Sequence, residues 1–167
     1  KKGVNRVVWD LGYDAAVTLE NKIEEGFSSN EIRPKVVPGE YTARVNYEGL
    51  KLEEKITVVG DNRIKMPTDD YRKKLKALLT LRDLLSKTHK LIDKVSFSAD
   101  QLEDLIKKLN DESSEDTKDA MKIHKKIVEH KFEFLMRPPP SMTYRQKPRL
   151  REEIRSLMSA IDNTANP

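Results

Sequence analysis

An alternating stretch at positions 36–59, VVPGEYTARVNYEGLKLEEKITVV, constrains the fold of this chain more than any other feature. Apolar residues take every second position from 41 to 47 and from 50 to 58, on either side of the dipeptide Glu48-Gly49, except at Glu54. Such alternation predicts half-buried strands, and a short Gly-containing loop between two such runs predicts a β-hairpin. The very polar middle of the return strand, near Glu53, leaves a β-bulge open. The apolar positions are Tyr41, Ala43, Val45, Tyr47, Leu50, Leu52, Ile56 and Val58.

A further strand is predicted upstream of the hairpin. At 5–11, NRVVWDL places Val7, Trp9 and Leu11 on one side of an extended chain. Residues 12–37 follow as a long, polar connection without periodicity, which we expect to be mobile. A sheet of three strands is marginal in water, so we expect it to need cover from a helix or from strands elsewhere.

The character of the chain becomes helical from Met66. Thr68 is a good N-cap, and Asp69 and Asp70 suit the positive first turn of a helix. Leucines then recur at helical spacing, and Leu81 and Leu84 widen the apolar stripe enough for two packing partners.

FSADQL carries the sharpest helix-start signal, because Ser98 and Gln101 form a capping box and Phe97 can pack on Leu102. The sequence leaves open whether 96–98 is a turn between two helices or a kink within one.

Two further helices are predicted after the polar break NDESSED. One spans about 115–136, and the last begins near Pro148. Between them, the prolines of 137–148 predict an extended connector; we favour a strut over a polyproline ligand. The whole is an α+β fold, a small antiparallel sheet followed by an antiparallel helical bundle. The expected sheet core is Trp9, Tyr41, Val45 and Ile56, and the expected bundle core is Leu78, Leu85, Ile92, Leu105, Ile127 and Leu157.

Charge is high but dispersed along the chain. There are 32 basic and 28 acidic residues, giving a net charge of +4, and only 6% of residues are aromatic. Nucleic-acid interfaces cluster basic residues on one face, often beside aromatics, so we expect solvated helix faces and no nucleic-acid partner. A charged fraction of 36% and a mean hydropathy of −0.72 also disfavour a large enzyme core with a deep pocket.

Motifs for catalysis or metal binding are missing from the sequence. It contains no cysteine, which excludes disulfides and thiolate chemistry. Adjacent carboxylates do not face each other across a cleft, which excludes glycosidase chemistry for the acidic pairs Glu24-Glu25, Glu53-Glu54, Asp69-Asp70 and Glu152-Glu153. His124 and His130 are six residues apart, which places them on different helix faces, and we expect His89 to be structural as well. No phosphate-binding glycine motif or nucleophile elbow is present. We therefore expect no catalytic, cofactor-binding or metal-binding residues, and without a long apolar run no membrane partner.

Several motifs together resemble a known family. Its pattern G-x-N-R-x-x-W-D-x-R-Y is followed by a long loop, P-G-x-Y, a strand ending near D-P-R, and helices. The helical segments 79–95 and 147–162 fit the last part, whereas Gly12 and Asn62 depart from the usual basic residue and proline. The chain thus resembles the C-terminal region of bacterial sortilin-type BNR-repeat proteins, often labelled glycosyl hydrolases. The matching residues are Gly3, Asn5, Arg6, Trp9, Asp10, Tyr13, Pro38, Gly39, Tyr41, Asp61 and Arg63.

The resemblance implies a partial immunoglobulin-like module at 1–65, related to the flagellar hook-capping family, and a helical bundle at 66–167 with the connector at 137–148. It implies a non-catalytic structural or assembly module of a larger secreted or periplasmic protein. The expected partner is an upstream β-propeller of the same polypeptide, and the open sheet edge offers a contact between copies. The start KKGVNR, without Met, is interpreted as a boundary inside a longer chain.

Two other functions remain open at this stage. One is a carbohydrate-binding accessory domain of a glycoside hydrolase, with Trp9, Tyr47 and the 12–37 loop as a stacking platform. We favour core packing for these aromatics, because small sheets bury most of their large rings. The other is a hydrolase in its own right, for which the sequence offers no recognisable site.

Overall fold

The computed structural model describes residues 3–4, 6–20, 32–109, 114–138 and 146–163. Within them the chain is α+β, with one two-stranded antiparallel sheet and three α-helices. The elements in chain order are β1 (Gly39–Tyr47), β2 (Leu50–Val58), α1 (Thr68–Leu109), α2 (Glu115–His130), a π-helical turn (Lys131–Leu135) and α3 (Leu150–Asn163).

The hairpin is confirmed, with unbroken pairing from Gly39↔Val58 to Tyr47↔Leu50. The loop residues Glu48 and Gly49 both have positive φ, 45° and 85°. This is the two-residue turn whose twist matches that of the flanking strands. Glu53 pairs directly with Arg44, so the bulge left open near Glu53 does not form.

Helix α1 is one continuous helix of 42 residues, about 63 Å long. Its first residue is Thr68, one position earlier than an N-cap at Thr68 predicts, because the Pro67 carbonyl accepts from the Tyr71 N–H; the helix passes through 96–98 without interruption. The Ser98 hydroxyl donates to the Lys94 carbonyl one turn back. A residue inside a helix often makes this bond, so of the two alternatives left open at 96–98 the turn between two helices is wrong.

The first half of α1 packs against α3. Leu78 and Leu85 form a buried cluster with Ile154 and Met158. The Lys74 ammonium donates to the Asp162 carbonyl at one end of this contact, and Arg151 lies beside His89 at the other. The two helices therefore run in opposite directions. Each large side chain buried here contributes roughly 1.5–3 kcal/mol.

The second half of α1 packs against the end of α2 and the π-helical turn. Ile92 and Met136 form a second buried cluster with Leu19 from the N-terminal segment. The Lys131 ammonium lies 3.3 Å from the Ser96 hydroxyl. The core of the molecule is thus arranged along α1.

The strand predicted at 5–11 is wrong for the described residues 6–11. Val7 is 92% exposed, and the segment makes no ladder; the one bridge nearby joins Gly12 to Lys35. The cause is local, because Leu11 has a left-handed φ of 59° and the Asp10 carboxylate accepts a hydrogen bond from the Gly12 N–H. Both features turn the chain instead of extending it.

After this turn the N-terminal segment lies along α1. The Val17 N–H donates to Ser86 Oγ at 3.1 Å, and the Glu20 N–H donates to Asp93 Oδ1 at 3.3 Å. Residues 13–20, which the sequence assigned to a mobile connection, are therefore bound to the helix. Residues 21–31 of that connection lie outside the described part of the chain.

The predicted helical core is confirmed for Leu78, Leu85 and Ile92 and wrong for two leucines. Leu105 is 50% exposed and Leu157 is 54% exposed, whereas Ile127 is half-buried. On α3 the buried positions are Ile154 and Met158, and successive helix residues are about 100° apart around the axis. Leu157 therefore lies to one side of the face that packs on α1, about 80° from its centre.

The predicted sheet core is not buried. Val45 is 57% exposed and Trp9 is 42% exposed, whereas Tyr41 and Ile56 are half-buried. No strand Cα lies within 8 Å of a Cα in the described helices. With no helix over the sheet and no third strand beside it among these residues, the hairpin lacks the cover that the sequence led us to expect.

Candidate functional site

Apart from Glu54, the side chains of the two strands divide by character between the two faces of the hairpin. The register places Tyr41 opposite Ile56, Val45 opposite Leu52, and Tyr47 opposite Leu50. Because alternate residues share a face, one face carries every large apolar side chain and the other carries only polar ones. We call the first the apolar face; it consists of Tyr41, Ala43, Val45, Tyr47, Leu50, Leu52, Glu54, Ile56 and Val58.

The apolar face is most exposed near the hairpin tip. Val45, Tyr47, Leu50 and Leu52 are each between 57% and 63% exposed, and they are cross-strand neighbours. The tip therefore presents a contiguous patch, not isolated surface residues. Contiguous exposed apolar patches on soluble proteins typically mark interaction sites.

The base of the hairpin is anchored by aromatic residues. Trp9 packs edge-on against Tyr41, with ring centroids 5.7 Å apart, and the Tyr41 hydroxyl donates to the Val37 carbonyl at 2.7 Å. Gly60 lies so close to Tyr71 of α1 that an added Cβ would be 3.3 Å from its hydroxyl. These contacts hold the base while the tip stays uncovered.

Asp10 joins two segments that pair antiparallel through Gly12 and Lys35, before the hairpin begins. Its carboxylate accepts from the Gly12 N–H at 3.0 Å and from Arg33 Nη1 at 2.6 Å, and Arg33 Nε also donates to the Tyr13 carbonyl. The Gly12 N–H, together with the charges of Arg33 and Lys35, lowers the pKa of Asp10. Asp10, a match to the family pattern, thus has a structural role here, whereas Tyr13 contributes its backbone N–H and carbonyl.

Asp61 and Arg63 perform a similar task between β2 and α1. Asp61 Oδ1 accepts from the Arg63 N–H at 2.9 Å, Oδ2 accepts from Arg63 Nη2 at 2.6 Å, and the Asp61 carbonyl accepts from the Ile64 N–H. The Arg63 side chain and N–H lower the pKa of Asp61 to about 2. The two side chains pair with each other within one turn, and they do not face a cleft among the described residues.

A buried polar contact joins α1, α3 and the N-terminal segment. Arg151 Nε donates to His89 Nε2 at 3.2 Å, so His89 Nδ1 carries the ring proton and donates to the Val17 carbonyl. Burial lowers the pKa of Arg151, and Glu152 lies 3.3 Å from its guanidinium. Sequence reasoning missed this contact because no local pattern links residues so distant along the chain.

The remaining acidic and histidine candidates do not converge. Glu53 pairs with Arg44, whereas Glu54 lies on the opposite face, and Asp70 pairs with Lys73. His130 stacks on Phe134. Within the described ranges no three His, Asp or Glu side chains are grouped to hold a metal ion. The pair at 24–25 lies outside those ranges.

The two aromatics considered for sugar stacking lie apart. Trp9 contacts Tyr41 at the base, and Tyr47 is six residues further along β1, a distance of about 20 Å. They share a side of the hairpin but form no joint platform. The expected burial of both rings in a sheet core is also not found, since Trp9 is 42% exposed and Tyr47 is 63% exposed.

An open groove lies beside the proline-rich connector. Its volume is about 590 Å³, and apolar side chains line it together with charges of both signs. Arg137 Nε donates to the Lys147 carbonyl at 3.2 Å, which ties the two ends of the connector together. The strut predicted there falls mostly on 139–145, outside the described residues. The groove is lined by Val128, Glu129, Phe132, Glu133, Pro138, Gln146, Lys147 and Arg149.

None of the helices in the described residues combines the length and apolar character needed to cross a membrane. Neither a protein-family model, nor a curated protein, nor a solved structure matches this chain.

Proposed function

We propose that this chain is a non-catalytic structural and assembly module, and that the apolar face of its hairpin binds further β-structure. The observation that supports this is the exposure of Val45, Tyr47, Leu50 and Leu52 on one side of a two-stranded sheet. Two carboxylates near the hairpin, Asp10 and Asp61, pair with arginines that hold neighbouring segments or turns.

The energetics of the hairpin support a missing neighbour. A hairpin of two strands is marginally stable in water, and a third strand or a packed layer stabilises it. Covering one large apolar side chain contributes roughly 1.5–3 kcal/mol, so covering the four at the tip would stabilise the hairpin substantially. Both strands also have an unpaired edge within the described residues, and such edges accept a further strand.

The family resemblance supplies a more specific form of the proposal. The hairpin would belong to a partial immunoglobulin-like sheet, and the three helices would form an antiparallel helical bundle that braces it. The neighbour would be an upstream β-propeller of the same polypeptide, in a secreted or periplasmic protein. Pairing between two copies through the free sheet edge is a second arrangement that would use the same strands.

Site-specific photo-crosslinking in the full-length parent protein tests the proposal. A photoreactive amino acid replaces Val45 on the apolar face, and a matched variant carries it at Asn46, the next residue, on the polar face. We expect crosslinks from position 45 to other β-structure, either within the polypeptide or in a second copy, and few from position 46.

Equal crosslinking from positions 45 and 46, or none from either, would contradict an interface on this face. Specific glycan binding that is lost with Tyr47→Ala would favour the carbohydrate-binding alternative instead. Hydrolysis of a glycoside or peptide by this chain would contradict a non-catalytic role.

A further inference from the structure

Helix α1 carries two leucine-rich stripes, and only one of them is covered. The buried stripe is Leu78, Leu85, Ile92 and Ala99, with one residue every seven positions, and it faces the other helices. The second stripe consists of Leu84, Leu91, Ser98 and Leu105, again with one residue every seven positions. Its three leucines are 42%, 46% and 50% exposed, in that order. We call these four positions the outer stripe.

The outer stripe is continuous with the core. Leu81, Thr88, Val95 and Leu102 lie three residues before the four positions of the outer stripe; Thr88 is buried and the other three are half-buried. Together with the outer stripe they form the alternating three- and four-residue spacing of a heptad repeat, which is typical of a helix that packs against another helix along its length. The helices described here occupy the buried stripe and leave the outer one open.

Lysines follow the outer stripe along one flank. Lys87, Lys94 and Lys108 are exposed and lie three residues after Leu84, Leu91 and Leu105. None of the three makes an ion pair within the described part of the chain. Elsewhere on α1, by contrast, Lys73 pairs with Asp70 and Lys107 pairs with Glu103. This flank therefore presents unbalanced positive charge beside an apolar stripe.

We propose that the outer stripe of α1 is the docking site for an acidic amphipathic helix of a partner protein. The partner's leucines would pack on Leu84 and Leu91, and its Glu or Asp residues would pair with Lys87 and Lys94. A second copy of α1 fits poorly, because it would place these lysines near one another, and like charges flanking a helix pair oppose association. A lipid surface imposes no seven-residue period, so the spacing favours a helix.

A pair of synthetic peptides tests this directly. The first has about four heptads with Leu at both apolar positions and Glu at the flanking positions; the second has Lys in place of Glu. Each labelled peptide is titrated with the protein by fluorescence anisotropy at low salt, about 0.05 M, where exposed charges are weakly screened. We expect the Glu peptide to bind and the Lys peptide to bind at least roughly tenfold more weakly.

Variants of the protein separate the apolar and electrostatic contributions. Leu84→Ser with Leu91→Ser should weaken binding of the Glu peptide by roughly tenfold or more, since two exposed leucines lose their contacts. Lys87→Glu with Lys94→Glu should reverse the preference, so that the Lys peptide binds better. Leu157→Ser, an exposed leucine on α3, is the matched control and should leave binding unchanged. Circular dichroism confirms that each variant is folded.

The proposal is overturned if the Glu peptide does not bind, if both peptides bind alike, or if the charge reversal leaves the preference intact. It is also overturned if vesicles containing phosphatidylserine bind the protein through the same leucines and lysines while the Glu peptide does not. Its outcome is independent of the hairpin, because no strand residue contributes to the outer stripe.

Discussion

Arg151 donates from Nε to Nε2 of His89 at 3.2 Å, although the two residues are 62 positions apart in the sequence. Both residues are more than 90% buried. The other ring nitrogen of His89, Nδ1, donates a hydrogen bond to the Val17 carbonyl. One buried histidine on α1 therefore contacts both α3 and the N-terminal segment. Residues 13–20 of that segment form no helix or strand.

Replacing His89 by Ala should destabilise the protein by about 1–3 kcal/mol, because Arg151 Nε and the Val17 carbonyl would each lose a buried partner. Urea denaturation followed by circular dichroism measures the change. His130→Ala, at an exposed histidine on α2, is the control and should shift the free energy of unfolding by less than about 0.5 kcal/mol. Equal losses of unfolding free energy for the two substitutions would show that the buried contact does not stabilise the protein.

Neighbouring residues on α3 should respond very differently to truncation. Met158 is 1% exposed in the cluster with Leu78 and Leu85, and Met158→Ala should cost about 2–5 kcal/mol by leaving a cavity. Leu157 is 54% exposed, and Leu157→Ala should cost well under 1 kcal/mol. Thermal and chemical denaturation of both variants measures the two costs. A larger loss of stability with Leu157→Ala than with Met158→Ala would contradict the observed orientation of α3.

The turn after β2 should have a distinct acid titration. With Arg63 present, the pKa of Asp61 is about 2; Arg63→Ala removes the side-chain bond and should raise that pKa towards the ordinary value of 3.8. A carboxyl whose pKa is lowered by folding stabilises the fold fully above its unfolded pKa. That stabilisation is lost as the pH falls from about 4 through about 2. Carbon-detected NMR titration measures the shift, and Arg72→Ala should leave Asp61 unchanged.

The hairpin turn can be strengthened by one substitution and weakened by another. Glu48 has a left-handed φ of 45°, which asparagine adopts more readily than glutamate. Glu48→Asn should therefore stabilise the hairpin, whereas Gly49→Ala, at a φ of 85°, should destabilise it by about 1 kcal/mol. Amide hydrogen exchange of Tyr47 and Leu50 reports both changes; a faster exchange rate with Glu48→Asn would be inconsistent with the turn described above.

Local sequence patterns predicted the elements whose partners are close in the chain. The hairpin is encoded by alternation and a two-residue loop, and α1 begins where Thr68, Asp69 and Asp70 suit a helix start. The capping box at Ser98 failed because flanking residues continue the helical apolar pattern on both sides. A capping hydroxyl can equally bond back to the preceding turn, as it does to Lys94.

Local patterns could not predict contacts between residues that are far apart in the sequence. Nothing near Val7 or Trp9 indicates that Asp10 will bind Arg33 and turn the chain, so alternation alone wrongly predicted a strand. Helical spacing likewise showed that Leu105 and Leu157 lie on apolar stripes, but not which stripe would be covered. The exposed stripes and the uncovered hairpin face became visible only when the partners of each element were known.

The proposal that the hairpin binds further β-structure of a longer parent polypeptide is tested most directly by amide hydrogen exchange on this chain alone and on that proposed parent. We expect the amides of β1 and β2 to exchange rapidly in the isolated chain and much more slowly in the parent. Those of α1 around Leu85 should be protected alike in both. Equal exchange of the strand amides in the two proteins would contradict a β-partner for the apolar face.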